Sequence, residues 1–161
     1  FLIMKFICGL KQLPDHWYPT SPNRDLKLQA RMDIYLDWHH ANLRMGAGGY
    51  LFRKYFSALM DKDGIGATEE SIKESWKILN RSLQQIERIW LKPDRGYKFM
   101  FSDKPSIADL SLACELTQLE AIKFPLHKFP QVNTWMYEAM MSINEFKSFH
   151  KIGSKKVSKV I

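Results

Sequence analysis

Pro105-Ser106-Ile107-Ala108-Asp109-Leu110-Ser111-Leu112-Ala113-Cys114-Glu115-Leu116, continuing to Ile122, is the stretch whose reading decides the fold. Ser106 and Asp109 stand in N-cap and N3 positions, so the Ser106 hydroxyl can accept from the Asp109 amide while the Asp109 carboxylate reaches back to the Ser106 amide. Pro105 and Leu110 occupy the N′ and N4 positions of a hydrophobic staple. Downstream, Ile107, Leu110, Leu112, Ala113, Cys114, Leu116, Leu119 and Ile122 fall on several sides of a helix, as on a central helix buried all round. The capping role also sets an expectation for Asp109: a structural carboxylate with a lowered pKa, not a catalytic acid.

Outward from this helix the apolar spacing stays helical. In 68–91, Ile72, Trp76, Leu79, Leu83, Ile86 and Trp90 form one stripe, with Glu69, Lys73, Lys77, Arg81, Gln84 and Arg88 opposite. The segment 23–60 carries Gly46, Gly48 and Gly49 and reads as two helical stretches with a kink or close-packing point between them. There Ile34, Trp38 and Met45 are expected on the core side, with Tyr35, His39 and Asn42 turned away. Another helix is expected from Gln131 to about Ser142. The connectors are Pro14 to Asn23, Asp61 to Gly66, Pro93 to Lys104 and Pro125 to Pro130. No β alternation is evident, so the class is all-α.

With 161 residues, 45% hydrophobic and 13% aromatic, the chain can bury one core and does not have the composition of a disordered protein. No apolar run reaches the roughly 18 residues of a membrane span. Phe1 to Leu10 has neither the basic start nor the small-residue cleavage site of a signal peptide, so it reads as a fold element. Since the chain opens on Phe, it is expected to be trimmed or to be a piece of something longer. Of the net charge of +7, five units lie on Lys147, Lys151, Lys155, Lys156 and Lys159. That stretch reads as a solvated, frayed tail, the alternatives being contact with nucleic acid or an anionic membrane surface. Cys8 and Cys114 have no metal-ligand spacing, form no disulfide scaffold and are expected as packed thiols in a reducing compartment.

The box Ser106-Ile-Ala-Asp109, preceded by Phe101-Ser-Asp-Lys-Pro105 and followed by Phe129-Pro-Gln-Val-Asn-Thr-Trp135, resembles the C-terminal helical domain of cytosolic glutathione S-transferases. Asp15-His16-Trp17-Tyr18-Pro19 and Leu28-Gln-Ala-Arg-Met-Asp-Ile-Tyr-Leu-Asp-Trp-His39 are similar to the interdomain linker and first domain helix of the theta class. The resemblance implies a division into the last helix of a largely missing thioredoxin-like domain (1–13), a linker (14–24), the helical domain (25–150) and a basic tail (151–161). It further implies a cytoplasmic, homodimeric detoxifying enzyme when complete, with glutathione as co-substrate and a small hydrophobic electrophile as partner. No metal, membrane or nucleic-acid partner is implied. The groups that activate and hold glutathione belong to the missing domain, so this chain by itself is expected to be inactive or nearly so. The alternative is a non-catalytic interaction module of the same fold.

Among the residues present, Arg44 matches an active-site-facing arginine of the theta class, where a guanidinium near the sulfur favours the thiolate. The alternative is an arginine held in a surface ion pair. Ala41 stands where the family often has a polar residue that reaches glutathione across the dimer. Tyr35, Asn42, Tyr50 and Phe56 are candidates to line the electrophile pocket, although aromatics at helical spacing are more often core and are assigned there first. Phe149, with Phe146 and His150, joins them if the C-terminal segment covers that pocket. His39 and His40 point about 100° apart on a helix and cannot chelate one ion together. With the thioredoxin-like domain missing, Phe6, Trp17 and Met45 are expected to be partly exposed and the chain to self-associate.

Overall fold

The computed structural model describes residues 1–57 and 67–157, with side chains described as far as residue 151. All the regular elements it describes are helical: α1 (Leu2–Leu10), α2 (Leu26–Ala41), α3 (Leu43–Leu51), α4 (Glu69–Gln85), α5 (Ile107–Ala121), α6 (Pro130–Thr134) and α7 (Asn144–Val157). Wider π-type turns extend α3 through Phe56, α4 through Trp90 and α6 through Ala139. The expected connector at Asp61 to Gly66 lies outside the described residues, as does Lys159.

Helix α5 is the centre of the bundle. The Ser106 hydroxyl accepts from the Asp109 amide at 3.4 Å, and the Asp109 carboxylate accepts from the Ser106 amide at 2.9 Å. The same carboxylate also receives the Met100 amide at 2.9 Å and the Trp135 indole at 3.2 Å, so one buried acid ties the 97–105 connector and α6 to the start of α5. Its pKa corrects the expectation: burial pushes the carboxyl above its ordinary value, outweighing the hydrogen bonds from Ser106, Met100 and Trp135.

Along α4, Leu79, Leu83 and Ile86 are buried as the stripe predicts, whereas Trp76 at the N-terminal end is 44% exposed. The break between α2 and α3 falls at Asn42, whose φ of −121° and ψ of −73° are not helical. The close-packing point is Gly46, where an added Cβ would come within 2.5 Å of the Leu79 amide nitrogen. Backbone of α3 therefore rests directly on backbone of α4, which a larger residue would prevent.

The orientation of α2 and α3 departs from the sequence expectation, although Trp38 is half-buried and packs against the core as expected. Met32, Tyr35, Leu36 and His39 are buried, while Ile34 and Met45 are 62% and 59% exposed. Those four buried positions form an i, i+3, i+4, i+7 stripe that includes a histidine, so apolarity alone points to the wrong face. Cys8 is buried as expected, but Cys114 is exposed.

The linker is fastened at Trp17 and Tyr18, to α5 on one side and to α2 on the other. The Ile107 amide donates to the Trp17 carbonyl at 3.0 Å, and Asp33 of α2 accepts from the Tyr18 hydroxyl at 2.9 Å and pairs with Lys5 of α1 at 2.5 Å. At the other end of the chain, His150 of α7 contacts Glu120 of α5 at 2.5 Å, and Glu120 also accepts from the Tyr137 hydroxyl. The backbone of α7 remains helical to Val157, so most of the stretch expected as a frayed tail is helix. Phe6 is 66% exposed and Trp17 is half-buried, in line with the expectation for these two side chains and for Met45.

Candidate functional site

Arg44, on the first turn of α3, sits over a buried carboxylate of the central helix. Its Nη1 donates to Glu115 Oε1 at 2.9 Å; the Glu115 side chain is 4% exposed, the arginine's 60%. Helix α5 carries Glu115 where α3 crosses it, and Leu43, one residue before Arg44, is fully buried, which fixes the turn from which the guanidinium projects. Burial pushes the Glu115 carboxyl upward, while the Arg44 charge and its hydrogen bond oppose the shift. The result is a charged donor with one N–H anchored from beneath and its outer edge turned to solvent.

This pair forms part of a cavity of about 550 Å³ whose lining includes His40, Met45, Gly48, Gly49, Phe52 and Arg53. Arg53 is anchored in its turn: its Nη1 donates to Ser75 Oγ at 2.7 Å, and the Ser75 hydroxyl donates onward to the Ser71 carbonyl at 2.9 Å. Gly49 leaves room for the guanidinium, since an added Cβ there would lie 2.5 Å from Arg53 Nη1. The cavity therefore combines two fixed guanidinium groups with exposed apolar walls from Met45 and Phe52. Chemically it can bind an apolar body and stabilise negative charge, including a thiolate presented to it.

The other residues singled out from the sequence lie elsewhere. Tyr35 is fully buried, stacks on His39 with ring centroids 5.7 Å apart and has no hydrogen-bond partner for its hydroxyl. It fills the core instead of lining a pocket, because α2 is rotated from the expected orientation. Tyr50 is likewise buried, and Phe56 is half-buried outside the lining of either cavity. Asn42 spends its side-chain amide on the Trp38 carbonyl at 2.9 Å, closing the end of α2.

Phe149 is 75% exposed and borders a second cavity of about 510 Å³, formed with Trp17, Leu110, Cys114, Ile143 and Phe146. The structure thus joins Arg44 to Glu115 and Arg53, but not to Tyr35, Asn42 or Phe149. Sequence reasoning passed over Glu115 and Arg53. The one available signal was an acid on an otherwise apolar central helix, which needs a buried partner.

His39 is buried with neither ring nitrogen partnered, and burial, reinforced by the positive charges of Arg44, His40 and the α-amino group, lowers its pKa to about 4. Among the described residues, no group of three His, Cys, Asp or Glu side chains is placed to hold a metal ion. No described helix is long and apolar enough to cross a membrane.

Residues 69–136 match the glutathione S-transferase C-terminal domain family. Glutathione S-transferase T1 of Arabidopsis thaliana is 41% identical over 108 residues, covering 67% of this chain and 41% of that protein. Glutathione S-transferase theta-1 of Gallus gallus is 34% identical over 116 residues, covering 72% of this chain and 41% of that protein. The chain is similar to theta-class glutathione S-transferases, through their C-terminal helical domain.

The solved structure of human glutathione transferase theta-2, in complex with glutathione and an unknown ligand, shares the fold of this theta-like domain. Its TM-score is 0.79 at 24% identity, over 99% of this chain and 63% of that one. The chain spans well under two thirds of the curated relatives it matches. Against that background Arg44, Glu115 and the cavity they border are the candidate site of the theta-like domain.

Proposed function

We propose that this chain supplies the electrophile-binding part of a theta-like glutathione transferase, a soluble cytoplasmic homodimer that conjugates glutathione to small hydrophobic electrophiles. The proposed division keeps 1–13 as the end of a thioredoxin-like unit, 14–24 as linker and 25–150 as the helical domain, with 151–161 basic. The observation that carries this reading is the Arg44–Glu115 pair at the mouth of a half-apolar cavity. Glutathione transfer needs a thiolate, and a free thiol with a pKa near about 8.5 is mostly protonated at neutral pH. A guanidinium beside the sulfur would lower that pKa, and the contact with Glu115 holds the Arg44 guanidinium in place. Met45 and Phe52 give the electrophile an apolar surface beside the charge.

Arg44 is assigned the auxiliary catalytic role, with the thiol-activating hydroxyl expected outside this chain. Asn42 and Phe149 remain secondary candidates for substrate contact, the latter through the second cavity. The test is glutathione conjugation by the complete protein. Arg44→Gln is expected to lower kcat/KM by about tenfold or more, on the scale of one charge-assisted contact, and to raise the pH at which the rate reaches half its plateau. A variant with unchanged kcat/KM and unchanged pH profile overturns the role given to Arg44.

A further inference from the structure

Trp76, exposed against the stripe expectation, lines a groove of about 740 Å³ that shares no lining residue with the Arg44 cavity. Asn80, Gln84 and Arg88 follow it along α4 at steps of four, which keeps them in one row. The facing wall is the 124–131 connector, with Phe124, Pro125, Lys128 and Gln131. Glu87 registers the two walls: its carboxylate accepts from the Val132 amide at 2.7 Å, which brings the Gln131 end of the connector to the Arg88 end of α4.

The polar groups of this groove are unspent. Asn42 and Gln85 commit their side-chain amides to Trp38, but among the described residues Asn80, Gln84 and Gln131 make no side-chain hydrogen bond, and Arg88 and Lys128 make no ion pair. Glu87 is committed to Val132, and Lys92 is already paired with Asp94. Sequence outside the described side chains leaves the Arg88 charge in place. Residues 152–161 contain no acid. In 58–66 the acids are Asp61 and Asp63, and even Asp61, six residues before Ala67, reaches only about 20 Å from it, against about 30 Å along α4 from Thr68 to Arg88.

We infer that this groove is a docking site for an acidic, extended peptide segment of a partner protein. The row from Trp76 to Arg88 covers about 18 Å, the length of about five extended residues. Side-chain amides suit a peptide backbone because each offers both a donor and an acceptor. Trp76, Phe124 and Pro125 give an apolar residue of the peptide its contact, and Arg88 and Lys128 take its carboxylates. A nucleic-acid strand fits less well, since its phosphates call for cations along the whole track and the middle of this one is uncharged amide. The inference is independent of the transferase reading and goes beyond it.

The test titrates the isotope-labelled full chain with hexapeptides and follows the backbone amide signals of the Asn80 to Arg88 row by NMR. The peptides carry leucine at one end, alanine and proline in the middle and two glutamates at the other end, made in both directions. The better of the two is expected to bind with a Kd of about 0.1 mM, and its glutamine counterpart about tenfold more weakly. Arg88→Gln is expected to weaken the glutamate peptide about tenfold and to leave the glutamine peptide within about twofold. Trp76→Ala is expected to weaken both peptides about fivefold. Lys27→Gln, an exposed cation outside the groove lining, is the control for overall charge and is expected to change neither.

Binding of neither glutamate peptide at about 1 mM overturns the inference, as does equal loss of both charge forms, or of neither, in Arg88→Gln. Tighter binding of hexathymidylate than of the glutamate peptide overturns it in favour of a nucleic-acid strand. Dissociation of a self-associated chain by Trp76→Ala, read by sedimentation, overturns it in favour of a second copy of the chain. If Arg88→Gln fails to fold, Lys128→Gln, exposed on the opposite wall, decides by the same criterion.

Discussion

Replacing Asp109 by Ala tests whether a single carboxylate holds the central helix, the 97–105 connector and α6 together. Its oxygens accept from the Ser106 amide at 2.9 Å, the Ser106 hydroxyl at 2.6 Å, the Met100 amide at 2.9 Å and the Trp135 indole at 3.2 Å. Alanine leaves all four donors without that acceptor in a fully buried site. At about 1 kcal/mol per donor the loss is about 4 kcal/mol. Relief of the carboxylate's own burial, seen in its raised pKa, offsets part of this, leaving a net cost of about 3 kcal/mol. That is a large fraction of the roughly 5–15 kcal/mol that separates most folded domains from their unfolded chains.

Urea unfolding followed by far-UV circular dichroism reads the difference, with the slope checked to confirm that only stability has changed. Asp109→Asn, which keeps shape and one acceptor oxygen, is expected to lose less than Asp109→Ala. Because the folded pKa is raised, the Asp109 contribution to stability is fully present below its ordinary value of 3.8 and declines as pH rises through the raised value. The gap between wild type and Asp109→Ala is therefore expected to widen in acid. A cost below about 1 kcal/mol for Asp109→Ala would refute the reasoning, since that is the worth of one ordinary hydrogen bond.

Gly46→Ala is expected to cost about 2–3 kcal/mol, because its Cβ would strike Leu79 backbone atoms that cannot rotate away; an unchanged urea midpoint would contradict the contact. His39, with its folded pKa of about 4 against an ordinary 6.5, stabilises the fold fully above 6.5 and loses that contribution as pH falls toward 4. The span is worth about 3 kcal/mol, and stability-against-pH curves for His39→Leu should be correspondingly flatter over that window. Arg44→Met strands the Glu115 carboxylate and should cost about 2 kcal/mol at neutral pH, the half-exposed arginine making the loss smaller than for a fully buried pair. Most of that cost should be recovered in the double variant with Glu115→Leu, as a double-mutant cycle would show.

Features governed by neighbours in the chain were legible in the sequence. The Ser106–Asp109 box, the helical class and the extent of α4 follow from spacing within a turn or two. The buried face of α2 did not, because apolar residues occupy both sides of that helix and the stripe that is buried includes His39. The expectation of a lowered Asp109 pKa counted hydrogen bonds visible in the motif but not the burial imposed by Met100 and Trp135 from other elements.

At the site, Arg44 was recognisable by resemblance, whereas its partner Glu115 lies 71 residues away. Arg53 and Ser75 likewise meet across two helices, 22 residues apart. Pairings of this kind depend on how α3 crosses α4 and α5, which no local periodicity encodes. Cys114 was misplaced for the same reason, since the second cavity leaves one side of α5 open beside Phe146 and Phe149.

The central claim is that the Arg44 cavity serves glutathione transfer, and its most direct measurement is the rate of glutathione conjugation to a small apolar electrophile by the complete protein. The account predicts glutathione-dependent product formation, reduced about tenfold or more in kcat/KM by Arg44→Gln while the fold is retained. A complete, folded protein that forms no glutathione conjugate across a panel of such electrophiles would contradict it.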